Sequence, residues 1–155
     1  MVTGHLHLLL GNHIIATGLP LVVGVSTGFQ MSPYTLRFPD VHVTTWERMA
    51  AYDEDAGGFP RFAPDVAIEV VSPSNTPAAL ARKTGEYFAN GASAVWIANP
   101  ANRTMAIRRP GAPEQVFGPG DTLSGEPEIP GFACLVADIF AVLDRRPSGQ
   151  TSPGR

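Results

Sequence analysis

A mixed α/β domain, with a central sheet flanked by helices, is the fold this sequence predicts. Three observations carry it. Residues 2–17 and 77–90 place apolar side chains at helical spacing and end in Gly or Asn-Gly. Residues 21–29, 36–44, 65–71 and 94–98 are short β-branched or fully apolar runs bounded by turn residues. A strand, a helix and an apolar strand follow one another across 65–98, and that order calls for a crossover onto a parallel strand.

In the first helix, 2–17, Leu6, Leu9, Leu10, His13 and Ile14 share helical spacing, and Gly18 with Pro20 closes it. His5 and His7, two apart, cannot share a face. His13 has the right chemistry for a metal ligand, but a histidine on a helix flank is more often solvated or satisfied in packing. A first strand follows at 21–29 and a turn at 31–34. A second strand, 36–44, holds Asp40 on the face of His42, with Pro39 confined to a strand start or an edge. Residues 46–61 read as a connection. Its Asp53, Glu54 and Asp55 fit no calcium-loop spacing and read as a solvated acidic run.

The third strand, 65–71, turns Asp65, Ala67, Glu69 and Val71 to one face and Val66, Ile68 and Val70 to the other. Residues 72–75 end it, Pro77 suits a first helical turn, and Leu80, Lys83, Thr84 and Tyr87 share the side of the next helix that meets the sheet. Residues 94–98 form a strand parallel to the third. A turn at 99–102 leads to a strand at 105–109. Residues 115–117 and 122–123 read as a β-ribbon around a Gly-Pro-Gly-Asp turn, and 136–143 as a short terminal helix. There is no internal repeat. Residues 1–145 are expected to form a single domain, and the turn-rich 146–155 a disordered tail.

Composition narrows the function. The chain has 155 residues, 44% hydrophobic and 16% charged, with a net charge of −3. That supports one globular core and gives no global basic footprint. A nucleic-acid partner would have to meet a local patch, for which Arg37, Arg82, Arg103, Arg108 and Arg109 are the candidates. The single Cys134 excludes an intrachain disulfide and is expected in the core. With no bilayer-spanning run and no signal-peptide start, a cytoplasmic protein is expected.

The chain is organised around residues 64–83, PDVAIEVVSPSNTPAALARK, together with residues 37–43, RFPDVHV. Each stretch sets a carboxylate in an apolar strand. A half-buried Glu69 must be neutral, paired with a cation or bound to a metal, because an isolated buried carboxylate is too costly. Lys83 is the only lysine beside ten arginines, a titratable amine where this chain otherwise uses guanidinium. The plainer reading is a solvated helix lysine.

These motifs resemble the Uma-type restriction endonuclease family of the PD-(D/E)XK nuclease superfamily. The resemblance rests on R-x-PD, PD-x3-E-V-x-SPS, K-x3-Y on a helix with a Gly end, and V-W-x-x-x-P, over about residues 36–110. It implies a restriction endonuclease-like core and a metal-dependent endonuclease that hydrolyses DNA. Asp40 and Glu69, with the Val70 carbonyl, would bind Mg²⁺, with Mn²⁺ as a substitute, and Lys83 would position or deprotonate the attacking water or stabilise charge on the phosphate. The superfamily's usual lysine position is held here by Val71, and Lys83 matches the place of an amine supplied from the following helix. By analogy a homodimer is expected. The family also places a hairpin with a further glutamate before the first helix, where this sequence begins. Asp65 could reach a second metal or hold the strand entrance, the structural role being favoured. Ser72 and Ser74 could bond phosphate or cap the helix, with capping the more economical. The alternatives are a catalytically inactive nuclease-fold protein serving as a binding or structural module, a metal-dependent hydrolase of smaller phosphodiesters, and a purely structural ion cluster.

Overall fold

The computed structural model describes residues 1–52, 55 and 57–145. Helix α1 (Val2–Thr17) buries Val2, Leu6, Leu10 and Ile14, one in every four residues, and ends at Gly18 in a left-handed conformation, with Leu19 N–H donating to the Ile14 carbonyl at 3.3 Å. Strands β1 (Leu21–Val25), β4 (Val41–Thr45), β5 (Val66–Val70), β6 (Ala94–Asn99), β7 (Thr104–Arg108) and β8 (Gln115–Phe117) form a six-stranded sheet in the order β1-β4-β5-β6-β7-β8. All neighbours are antiparallel except β5 and β6, the pair joined through helix α3 (Pro77–Ala89).

The alternation seen in sequence sorts the sheet into two faces. Val41, Val43, Val66, Ile68 and Trp96 face α1 and helix α4 (Val136–Phe140) in the larger core. Ala67, Val95 and Ile97 face Tyr87 of α3 and the hairpin of β2 (Phe29–Ser32) and β3 (Thr35–Arg37). The predicted mixed α/β sandwich is therefore present, and β6 is parallel to β5 as expected.

Several boundaries differ from the sequence reading, each for a local reason. The run 21–29 breaks after Val25, where Ser26 takes φ 53°, and Phe29 opens β2; Met31 and Ser32, expected in a turn, are strand residues. The run 36–44 divides into β3 and β4 around Pro39, so Asp40 stands just before β4 instead of inside a strand. The connection after β4 contains a short helix, α2 (Trp46–Ala50), whose first turn is capped by the Thr45 hydroxyl accepting from Arg48 N–H at 3.3 Å. The ribbon expected from 115–123 does not form. β8 extends the main sheet beside β7, and β9 (Thr122–Ser124) pairs with β10 (Ala133–Leu135), whose Cys134 is half-buried against the core. The terminal helix stops at Phe140 and continues as a 3-10 turn, Ala141–Asp144. Asp53, Glu54 and the expected tail at 146–155 lie outside the described residues; Asp55 is exposed.

Candidate active site

Two pairing directions bring the candidate residues to one end of β5. Because β4 runs antiparallel to β5, the start of β4 lies beside the end of β5, with Val41 opposite Ile68. Continuing that register by one residue sets Asp40 opposite Glu69, and by two sets Pro39 opposite Val70. Val71 N–H donates to the Ala98 carbonyl of β6 at 2.8 Å, so Val70, one residue back, turns its main-chain groups towards β4. There Asp40 Oδ2 accepts the Val70 N–H at 2.7 Å. Pro39 has no N–H to offer in return, so the ladder supplies no donor for the Val70 carbonyl.

Glu69 is the centre of the cluster. It is 6% exposed and accepts at both oxygens, from Lys83 Nζ at 3.1 Å and from Tyr87 Oη at 2.8 Å. The sequence reading paired Glu69 with Lys83, and the structure brings them into contact. It placed Tyr87 only on the side of the helix that meets the sheet. The phenol donates to the carboxylate, and burial, then the Glu69 charge, hold its pKa well above the usual tyrosine value, so it remains a donor. The signal was in the sequence as K-x3-Y, which on a helix stacks the two side chains over one strand.

The rim carries a pair that sequence reasoning missed. Arg37 of β3 forks onto Glu86 of α3, with Nε bonded to Oε2 and Nη2 to Oε1 at 3.0 Å. That bond raises the Arg37 pKa and holds the Glu86 carboxyl below its usual range, and Arg37 also feels Tyr87 and Glu69. Glu86 lies three residues beyond Lys83, on the neighbouring helical position, but nothing local showed that β3 would lie across α3.

Other candidates fall elsewhere. Asp65 sits before the opposite end of β5, about 13 Å along the strand from Glu69. Its oxygens accept Thr45 N–H at 2.8 Å and Arg48 Nη1 at 2.7 Å, so it holds the strand entrance. Thr76 caps α3, accepting from Ala79 N–H at 3.1 Å; Ser72 and Ser74 bond each other at 2.9 Å, and the capping expected of them is corrected. His13 bonds the Pro130 carbonyl at 2.8 Å and meets Phe132 edge-on, a packing role. Of the expected arginine patch, Arg103 pairs with Asp144, Arg108 with Glu114 and Arg109 with Glu128, as Arg37 does with Glu86, which leaves Arg82 as the exposed member without an ion pair among the described residues. Among the described residues no three His, Cys, Asp or Glu side chains cluster as a metal cage, and no helix is long and apolar enough to cross a membrane.

The sequence family Uma2, described as "Putative restriction endonuclease", matches residues 2–138. The chain belongs to this family. No curated protein matches it. Among solved structures it is similar to a putative nuclease belonging to DUF820 from Anabaena variabilis, with a TM-score of 0.78 at 18% identity, over 92% of this chain and 79% of that one. A likeness at that identity speaks for the fold, and it agrees with the restriction endonuclease-like core expected from the motifs. In this Uma2-family chain the two PD steps have different surroundings: Asp40 is tied to the end of β5 beside Glu69, and Asp65 to Arg48 at its beginning.

Proposed function

We propose that this protein is a metal-dependent endonuclease that hydrolyses DNA phosphodiester bonds, with Asp40, Glu69 and Lys83 as its catalytic residues. The observation that carries the reading is the buried Glu69 carboxylate, held by the chain's only lysine at 3.1 Å, at the strand end to which Asp40 is bonded. A structural ion pair would serve equally well with arginine. An amine this close to a carboxylate can share a proton, which guanidinium cannot.

The donor set fits a hard divalent cation. Asp40 and Glu69 bring carboxylate oxygens, and the Val70 carbonyl lacks a ladder donor because Pro39 opposes it; three hard oxygens suit Mg²⁺, or Mn²⁺ in its place, with water and substrate oxygens completing the shell. When bound, such an ion supplies Lewis-acid polarisation of the phosphate and lowers the pKa of an attacking water. Glu69 and Asp40 orient that water through their remaining lone pairs. Lys83 takes up or lends the proton at Nζ and offsets negative charge as it builds on the phosphate. Tyr87 fixes Glu69 Oε1, so the carboxylate presents Oε2 towards the amine. Cutting both strands calls for two such centres, which a homodimer supplies.

A second reading has its own observation. Both Glu69 oxygens already have donors, and four of the five arginines expected to meet DNA are paired with carboxylates, as in a catalytically inactive nuclease fold retained as a binding or structural module. The test is cleavage of plasmid, linear DNA, RNA and small phosphodiesters with Mg²⁺, Mn²⁺ or chelator, using wild type, Glu69→Gln and Lys83→Met. Metal-dependent nicking of DNA that either substitution abolishes supports the proposal. Absence of turnover, with no Mn²⁺ uptake by calorimetry, selects the inactive binding or structural module.

A further inference from the structure

Helix α1 has a second face that the described residues leave exposed. Its sixteen residues, VTGHLHLLLGNHIIAT, contain no Asp, Glu, Lys or Arg, although a helix with one side in water ordinarily carries charge there. Away from the buried Leu6, Leu10 and Ile14, the outer side exposes Leu8 at 55% and Ile15 at 81%, with Met1 at 80% just before the helix. These three repeat every seven residues, and Gly4, Gly11 and Gly18 fall between them at the complementary heptad position.

Two of those glycines are unexplained by the monomer. Glycine weakens a helix interior relative to alanine. A Cβ built on Gly4 meets nothing within 4 Å, and one on Gly11 meets only Val23 Cγ1 at 3.5 Å, an ordinary contact. The fold could carry alanine at both. What the glycines do provide is notches beside exposed knobs, and the spacing is self-complementary. Laid antiparallel on itself about a two-fold axis, the helix puts Leu8 over Gly11, Ile15 over Gly4 and Met1 over Gly18, each contact occurring twice.

We infer that the outer face of α1 is a homodimer seam in which two copies pack antiparallel, the knobs Leu8 and Ile15 of one seated on the glycines of the other. This deepens the dimer part of the proposed function, but its tests read mass and cross-linking, so its failure leaves the cleavage assay untouched. A seam one 16-residue helix long, about 24 Å, lies at the small end of specific interfaces, so association is expected in the micromolar range.

The geometry makes a sharp cross-linking prediction. Position 8 stands opposite position 11, three residues from its own counterpart, which is about 4.5 Å along the axis and within disulfide reach across closely packed helices. Position 15 stands opposite position 4 and is about 16 Å from its counterpart, beyond any disulfide. In a Cys134→Ala background, Leu8→Cys should therefore give an oxidised dimer and Ile15→Cys should not. Gly4→Ala should raise the thermal midpoint of dilute protein while weakening dimerisation about tenfold, since the new methyl meets Ile15 of the other copy. Leu8→Glu should give a folded monomer by sedimentation and circular dichroism. Wild type that stays monomeric up to about 100 μM, cross-linking at both positions, or a dimer indifferent to Gly4→Ala and Leu8→Glu would each overturn the seam, the last by assigning the dimer to another surface.

Discussion

Lowering the pH from 7.5 to 5 should destabilise this protein through one residue, His42. Its ring is 2% exposed on β4, against Phe29 at 5.0 Å between centroids, with Nδ1 3.0 Å from the Thr44 hydroxyl and Nε2 3.1 Å from the Thr27 hydroxyl. Both partners are neutral and can serve a neutral imidazole. Burial first, and then the charge of His7, push the His42 pKa down from 6.5 to about 4. A histidine whose folded pKa is depressed is favoured in its neutral form, so its contribution is complete above the unfolded pKa of about 6.5 and drains away between there and about 4 as protons bind the unfolded chain preferentially. With those two values the loss between pH 7.5 and pH 5 is about 2 kcal/mol. For a domain of this size that moves a urea midpoint by about 1 M. Glu86, whose carboxyl is held low by Arg37, acts in the same direction but only below the ordinary carboxylate range, outside this window. The assay is urea unfolding followed by fluorescence at both pH values, for wild type and His42→Gln, whose amide cannot titrate. A wild-type midpoint that stays put, or a variant that falls as far as wild type, refutes the reasoning; so does an imidazole that titrates near 6.5 by NMR.

Three further outcomes follow from the site. Tyr87→Phe removes the donor to Glu69 Oε1 in a buried place and should cost about 1–3 kcal/mol in chemical unfolding; cleavage should fall with KM unchanged, whereas unaltered kcat would mean that Lys83 alone orients the carboxylate. Asp65→Asn weakens the bonds to Arg48 and Thr45 and should lower stability by about 1 kcal/mol while cleavage per folded molecule persists; a dead but stable variant would return Asp65 to the chemistry. Pro39→Ala restores an N–H opposite Val70 and should reduce Mn²⁺ affinity in calorimetry without loss of stability, and unchanged affinity would remove the Val70 carbonyl from the metal shell.

What the sequence made legible was whatever depends on a local period. The 2–17 helix, the faces of the 65–71 strand and the reach of Lys83 to Glu69 follow from spacings of three, four and two residues, and the structure agrees with each. What it concealed depends on partners chosen at a distance. Three-residue strands such as β8, β9 and β10 have too little pattern to announce their neighbours, which is why the ribbon expected at 115–123 is shared between two sheets. The same holds for Arg37 with Glu86, 49 residues apart, and for the closing of the arginine patch by Glu128 and Asp144. In sequence Arg37, Arg103 and Arg109 looked available to a polyanion, because nothing local reveals which carboxylate will lie beside each one; only Arg108 has its partner, Glu114, within the next few residues.

The position of the site follows from strand directions more than from any motif. β5 has an antiparallel neighbour on one side and a parallel neighbour on the other. The antiparallel neighbour must begin where β5 ends, so a carboxylate placed just ahead of β4 meets one placed near the end of β5. The parallel neighbour forces the chain to cross back over the sheet, so α3 also departs from that end. Helical side chains lean towards the helix start, which turns Lys83 and Tyr87 back over Glu69 even though they lie one and a half to nearly three turns into α3. Any sequence threaded on this topology with polar residues at those positions would gather them at the same point. What distinguishes this chain is the choice of one lysine and two carboxylates there, with a proline that keeps a carbonyl out of the ladder. Those choices weaken regular pairing at the strand end, and a purely structural end would have gained by making it stronger.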